Sequence, residues 1–284
     1  LGLPLETIQA DYTAFDEMRD AIADCLAEVN PRTLRRACEK LQVDQRLGET
    51  VKWAGSDNTP QATALARLVL RENEASLQTF NAMLDALRPP LHHDWATWLY
   101  DTLFPLWVSP EAAALLPLSL LDEAGSSRRI AINGNKLSHF TAESFVRRAH
   151  PLDDKWVLIQ IDSTKTDSDG IAEEIRRYFR EHLTRDFSAS DAETDQKIRA
   201  FSHSIYILLP QNIQDEYILD ELQFLYPKAE FLLSVGADMP VVSALPTMTI
   251  PIKPCVDLRL EERQDNEMIL SHNLLNKLPG GLHR

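Results

Sequence analysis

The amino-acid sequence predicts an α + α/β protein, an N-terminal helical bundle followed by a mostly parallel sheet domain covered by helices. Three observations carry this expectation. Residues 6 to 90 read as consecutive short helices, each with one apolar stripe. The runs Trp156-Val157-Leu158-Ile159-Gln160-Ile161, Ser204-Ile205-Tyr206-Ile207-Leu208-Leu209 and Glu230-Phe231-Leu232-Leu233-Ser234-Val235 are short, nearly continuous and rich in branched or aromatic residues, as strands buried on both faces are. Helix-period segments separate those runs, so strand, crossover helix and strand repeat as right-handed parallel units. The expected division is a helical bundle over 1–90, a helical connector with a hairpin over 91–150, the sheet domain over 151–260 and a helical or loose tail over 261–284.

In the bundle, Ile8, Tyr12, Phe15, Ile22, Leu26 and Val29 form the stripe of a first helix, which Asn30-Pro31 ends while capping the next. That second helix carries Leu34, Cys38 and Leu41. Residues 43–58 read as a loop with Gly48 and Gly55, and Thr59-Pro60 opens a third helix through Leu65, Leu68 and Val69. Leu77, Phe80, Leu84 and Leu87 mark a fourth, stopped by Pro89-Pro90. The connector begins with His92-His93-Asp94, read as a helix entry, and an aromatic helix bearing Trp95, Trp98, Leu99, Leu103 and Phe104, expected to pack on the sheet domain. Ser109-Pro110-Glu111 opens another helix through Leu120. Ile130-Ala131-Ile132-Asn133-Gly134 resembles a strand entering a tight hairpin, because Asn-Gly suits the positive backbone angles of such a turn. Thr141 is expected to cap a short helix through Phe145 and Val146.

In the sheet domain, Asp162 to Gly170 is a polar turn before a helix with Ile171, Ile175, Tyr178 and Phe179. Residues 183–195 form a polar bridge to Ile198 and Phe201, and Ile213, Tyr217, Ile218, Leu222 and Leu225 mark the helix before the third run. Residues 247–252 add an edge strand, since Pro246 and Pro251 suit an edge better than an interior. A charged helix from Leu258 and a loose Pro279-Gly280-Gly281 tail close the chain.

Composition narrows the function. The 284 residues carry 43 acidic against 29 basic side chains, a formal net charge of -14, which disfavours nucleic acid and anionic membrane as partners. Three cysteines, Cys25, Cys38 and Cys255, lack metal-ligand spacing and suit a reducing, cytoplasmic setting. No apolar run approaches the ~18 residues of a membrane span. The chain begins with Leu, so its true N-terminus is open.

A parallel α/β sheet binds ligands at the carboxyl ends of its strands, so chemistry is sought after Ile161, Leu209 and Val235. A phosphate loop needs glycines that let backbone donors close on the anion, then Lys and Ser or Thr at a helix start. After Ile161 only Lys165-Thr166 fits that pattern, without a glycine, among Asp162, Asp167 and Asp169. Those three carboxylates suggest an alternative, metal-dependent phosphoester or nucleotide chemistry with Asp162 at the strand end and Asp167 or Asp169 as further ligand. Helix capping explains the same residues. Cys255 with His203 is a third candidate, which no surrounding motif supports. No metal site and no cofactor is expected.

Leu34-Arg35-Arg36-Ala37-Cys38 through Val43, Ala62 to Leu70, and Leu77 to Pro89 together resemble the small death-fold-like effector-associated domains of bacterial conflict systems. Residues 140–254 look like the nucleotide-binding core of signal-transduction ATPases with numerous domains, in an inactive form, with residues 156–162 as its first strand and no glycine-rich loop. The resemblance implies a non-enzymatic adaptor or sensor whose helical domain recruits a protein effector or a like helical domain, with self-association open to it.

Overall fold

The computed structural model describes residues 5–51, 57–71, 76–87, 93–118, 129–134, 138–150, 155–247 and 249–278. The expectations for Gly55, Pro89-Pro90, His92, Leu120 and the Pro279-Gly280-Gly281 tail, and for the side chains of Ile8, Tyr12 and Phe15, lie outside the described residues. The chain has two compact units, Leu1–Trp107 with Glu262–Arg284, and Val108–Glu261. The architecture is α + α/β as expected, with different boundaries.

The first unit contains α1 (Leu5–Ala27), α2 (Pro31–Lys40), α3 (Val43–Leu47), α4 (Thr59–Arg71), α5 (Ser76–Leu87) and α6 (His93–Leu103), which runs into a 3-10 turn at Phe104–Trp107. Asn30 caps α2 by accepting a hydrogen bond from the Arg32 N–H at 3.0 Å, with Pro31 in the first turn where no donor is needed. Ile22, Leu26, Leu34, Leu65, Leu68, Leu77, Phe80 and Leu84 are fully buried and form the core. Where a continuous loop was expected, α3 makes one helical turn too short to display a period. Gly48 ends it at φ 71, a left-handed conformation that glycine adopts without a Cβ penalty.

The aromatic helix α6 belongs to this helical unit and not to the sheet domain. The Tyr100 ring lies 6.2 Å from that of Phe80 and 5.6 Å from that of Phe104. Leu99, Leu103 and Phe104 are buried, whereas Trp98 is 40% exposed. The Tyr100 ring finds its partners within the helical unit, on α5 and in the turn that follows α6.

The second unit runs α7 (Pro110–Ala113), α8 (Leu115–Leu118), β1 (Arg129–Ile132), α9 (Ser138–Ala149), β2 (Trp156–Gln160), α10 (Ser168–Tyr178), α11 (Asp191–Ala200), β3 (Ser204–Leu209), α12 (Glu216–Leu225), β4 (Ala229–Ser234) and β5 (Thr249–Pro251). A π-helical turn, Phe179–Thr184, extends α10. The final helix α13 (Leu258–Leu275) begins in this unit, and its residues from Glu262 on count with the first. There Asn81 of α5 donates to the Glu267 carbonyl at 2.9 Å and accepts from the Ser271 hydroxyl at 2.8 Å.

All five strands are parallel, in the order β2-β3-β4-β1-β5. The three apolar runs are β2, β3 and β4, and the Pro-flanked segment is the edge strand β5. On one face Val157, Ile159, Ile205, Ile207, Phe231 and Leu233 pack against Ile171, Ile175, Phe179, Ile198, Leu219 and Leu222 of α10 to α12. On the other, at the end of α9, His150 shares a 2.7 Å hydrogen bond with the buried Tyr206 of β3. Helices thus cover both faces, which is why the strands read as continuous apolar runs.

The hairpin at Asn133-Gly134 is a correction. β1 pairs in parallel with β4, Arg129 opposite Phe231, and with β5, Arg129 opposite Thr249, so it is an interior strand of the sheet. Its successor is α9. Thr141, expected as a cap, lies inside the first turns of α9, which begins at Ser138.

Candidate functional site

Strand order sets the crevice. The chain leaves β1 for the far edge at β2, works back through β3 and β4, and then passes β1 to reach β5. Connections therefore change direction at β1, and the switch point, where doubly wound sheets bind ligands, lies at the carboxyl ends of β1 and β4. The relevant residues are Asn133-Gly134 and Val235-Gly236. Of the three places named from sequence, only the one after Val235 falls there.

This position is filled by the chain's own groups. The Gly134 N–H donates to the Gly236 carbonyl at 2.9 Å, linking the two strand ends. The buried Asn133 donates to the carbonyls of Ala237 at 3.3 Å and Val256 at 3.1 Å, and accepts from the Val256 N–H at 2.9 Å. Gly236, at φ 82, lies so close to Gln211 that an added Cβ would fall 2.5 Å from its amide nitrogen.

The most telling group is Glu261. Asp257 caps α13 through the Arg259 N–H at 2.9 Å, and the first turn then carries Glu261 inward, where its side chain is fully buried. Its carboxylate accepts the hydroxyl hydrogen of Thr141, near the amino end of α9. It also explains Gly134. That glycine has no left-handed φ; a Cβ there would meet Glu261 Oε1 at 2.9 Å and the Thr141 hydroxyl at 3.5 Å. The amino end of the helix that follows a switch strand is where exposed N–H groups and the helix dipole favour an anion. Here the carboxyl group of Glu261 lies beside that position and engages the Thr141 hydroxyl, so a ligand brought to it would have to displace the protein's own group.

The carboxylates picked from sequence have local duties. Asp162 is exposed and accepts from the Thr164 N–H at 2.8 Å, a bond that holds its carboxyl below the usual range, with the Thr164 hydroxyl adding to the effect. Asp167 caps α10 through the Gly170 N–H at 2.7 Å. Asp169 is exposed in the first turn of α10, where a carboxylate complements the helix dipole. Lys165 and Thr166 stand in the turn at the end of β2, the sheet edge away from the switch point. Among the described residues no group of three His, Cys, Asp or Glu side chains is placed to hold a metal ion.

The cysteine–histidine pair is not brought together. His203 precedes β3 at the amino edge of the sheet, its ring tilted against that of Phe201 at 4.9 Å, while Cys255 follows β5 at the carboxyl edge. Burial pushes the Cys38 thiol up to about 12 and raises that of Cys25. In native protein a thiol-specific chromogenic reagent should modify the exposed Cys255 fast, Cys25 slowly and Cys38 only on unfolding. Rapid modification of Cys38 in the folded state would contradict its placement.

Sequence reading missed a buried cation. Arg129 of β1 is 2% exposed and reaches α12, donating to Glu216 at 2.6 Å, Gln223 at 2.8 Å and Asp220, and to the Thr247 carbonyl at 3.2 Å. A second network joins α10, α11 and α12: Arg176 grips Asp195 with two bonds of 2.8 and 2.9 Å, and the Tyr226 hydroxyl donates to Asp195 at 3.2 Å. Both tie helices to the sheet unit.

No family model, curated protein or solved structure matches the chain. No described helix is long and apolar enough to cross a membrane.

Proposed function

We propose that this chain is a non-enzymatic adaptor or sensor of a bacterial conflict or signalling system, acting in the cytoplasm and recruiting a protein effector through its N-terminal helical unit. The observation that carries the reading is the closed switch point: Asn133 bonds Ala237 and Val256, Gly134 bonds Gly236, and Thr141 bonds Glu261 where a doubly wound enzyme would leave room for substrate. The resemblance of residues 34–89 to effector-associated domains supplies the direction of recruitment. The local engagement of Asp162 and Asp167 in turn and cap supports the same reading over metal-dependent phosphoester chemistry.

The helical unit exposes large apolar side chains to which such a partner could dock, Trp98 at 40%, Ile269 at 51% and Leu270 at 45% exposure. Co-purification of the tagged full chain from bacterial cells tests the reading. A stoichiometric protein partner is expected with the wild-type chain and is lost on Trp98→Asp with Leu270→Asp. If every stable partner survives both substitutions, recruitment does not use these exposed side chains of the helical unit. If none is found in any condition, the adaptor reading loses its basis.

A further inference from the structure

Helix α12 presents an outer stripe that its own unit does not cover. Tyr217 and Phe224 stand seven residues apart, on one face of the helix two turns from each other, and are 70% and 81% exposed. Around them lie Asp215, which caps the helix, Glu216 and Asp220, which pair with Arg129, and Glu221, which accepts from the Ser168 hydroxyl, with no cationic residue anywhere in the helix. Leu219 and Leu222 face the sheet, so the aromatic stripe contributes nothing to the core. Two large exposed aromatic rings framed by carboxylates form a surface suited to a cation-bearing helix, since guanidinium groups stack on aromatic faces and pair with carboxylates.

The same chain carries the complementary surface. Helix α2 has four cationic side chains, Arg32, Arg35, Arg36 and Lys40, against one carboxylate, Glu39. Its apolar residues Leu34, Ala37 and Cys38 are buried, which leaves the arginines outward. Arg35 pairs with Glu39 at 3.0 Å and Lys40 with Asp85 at 2.6 Å. Arg32 and Arg36, one turn apart and exposed, make no ion pair among the described residues. In a chain of net charge -14 such a basic face stands apart from its surroundings, and most other surfaces would repel α12.

We infer that the occupant of the α12 stripe is a second copy of this chain, docking its α2 face with Arg32 and Arg36 over Tyr217 and Phe224. The contact is head to tail. The dimer keeps one free α2, on one copy, and one free α12, on the other, so association continues beyond a dimer unless the geometry closes a ring. The inference stands apart from effector recruitment, because it concerns the purified chain alone.

Sedimentation velocity on the purified full chain tests it, across the micromolar to millimolar range and at two ionic strengths. The expected result is a mass that rises with concentration past the dimer and falls with added salt. The variant Arg32→Glu with Arg36→Glu, and separately Tyr217→Ala with Phe224→Ala, should each weaken association by about tenfold or more, as loss of two cation–aromatic contacts implies. Mixing the two variants should restore a single contact and stop at a dimer, since only one intact α2 and one intact α12 meet. Circular dichroism confirms that each variant is folded. Should the aromatic variant fail to fold, Glu221→Arg paired with Arg36→Glu carries the same test by charge exchange. A monomer at every concentration, association indifferent to both variants, or no dimer in the mixture overturns the inference.

Discussion

Replacing Glu216 and Asp220 together by alanine is expected to destabilise the sheet unit by about 3 kcal/mol, more than removing the arginine they serve. The Arg129 guanidinium is buried on the inner side of β1, and both carboxylates that neutralise it come from α12. Without them a cation remains in a low-dielectric site with only Gln223 and the Thr247 carbonyl as acceptors. Those two acceptors, and the partial exposure of the carboxylates, 43% for Glu216 and 66% for Asp220, keep the cost at the lower end of the range for broken buried pairs. Arg129→Met leaves no charge behind, fills much of the same space and lets both carboxylates hydrate, so about 1 kcal/mol is expected. The order of the two effects, read from urea transitions at constant slope, is the test. If Arg129→Met is the more damaging, the cation is not held by these carboxylates. The same site is acid-sensitive. The Thr247 N–H, with the Arg129 bond, holds the Glu216 carboxyl below its ordinary value. Its folded-state pKa is therefore lower than the unfolded one; the contribution is complete above the unfolded value of about 4.5 and fades as pH falls through the folded one. In Glu216→Ala that part of the acid loss should vanish.

The second large effect is expected at the switch point. Gly134→Ala forces a Cβ to within 2.9 Å of Glu261 Oε1, and such overpacking costs about 1–3 kcal/mol. Glu261→Ala removes the acceptor of the buried Thr141 hydroxyl, a loss of about 1–3 kcal/mol for a group left unsatisfied. The two changes should not add. Once residue 261 is alanine, the oxygen that opposed the new Cβ is gone, so the double variant should be less unstable than the sum by about 1 kcal/mol or more. Strict additivity would mean that the Glu261 carboxylate does not press on Gly134.

Much of the fold was legible in sequence because local pattern and burial agree. β2, β3 and β4 are buried between helices on both faces, and their continuous apolar runs say so. Caps at Asn30, Ser109 and Asp167 form as their residue types and following prolines or helical periods suggest. β1 was misread for a physical reason: four residues followed by Asn-Gly look locally like a hairpin, while their actual partners, Phe231 to Ser234, lie about a hundred residues away. An arginine at the head of a strand argues for exposure unless its counter-charges are known, and those come from another helix. Glu261 was hidden in the same way. It sits among charged residues at the start of α13 and reads as one more solvated side chain, yet its partner Thr141 is 120 positions away. Sequence named three strand ends, of which only the one after Val235 lies at the switch point, while the candidate carboxylates were sought after Ile161, at the sheet edge. The residues that fill it carry no motif, because filling a crevice requires shape and hydrogen bonds, not a catalytic spacing.

The central claim is that this crevice is closed by the protein itself and that function resides on its surfaces. Amide chemical-shift mapping with MgATP up to about 1 mM, the upper end of usual substrate affinities, tests it directly. The N–H signals of Gly134, Gly236 and Val256 should stay in place throughout the titration. Saturable shifts at these three amides, with a dissociation constant inside that range, would contradict the claim and return the switch point to nucleotide chemistry.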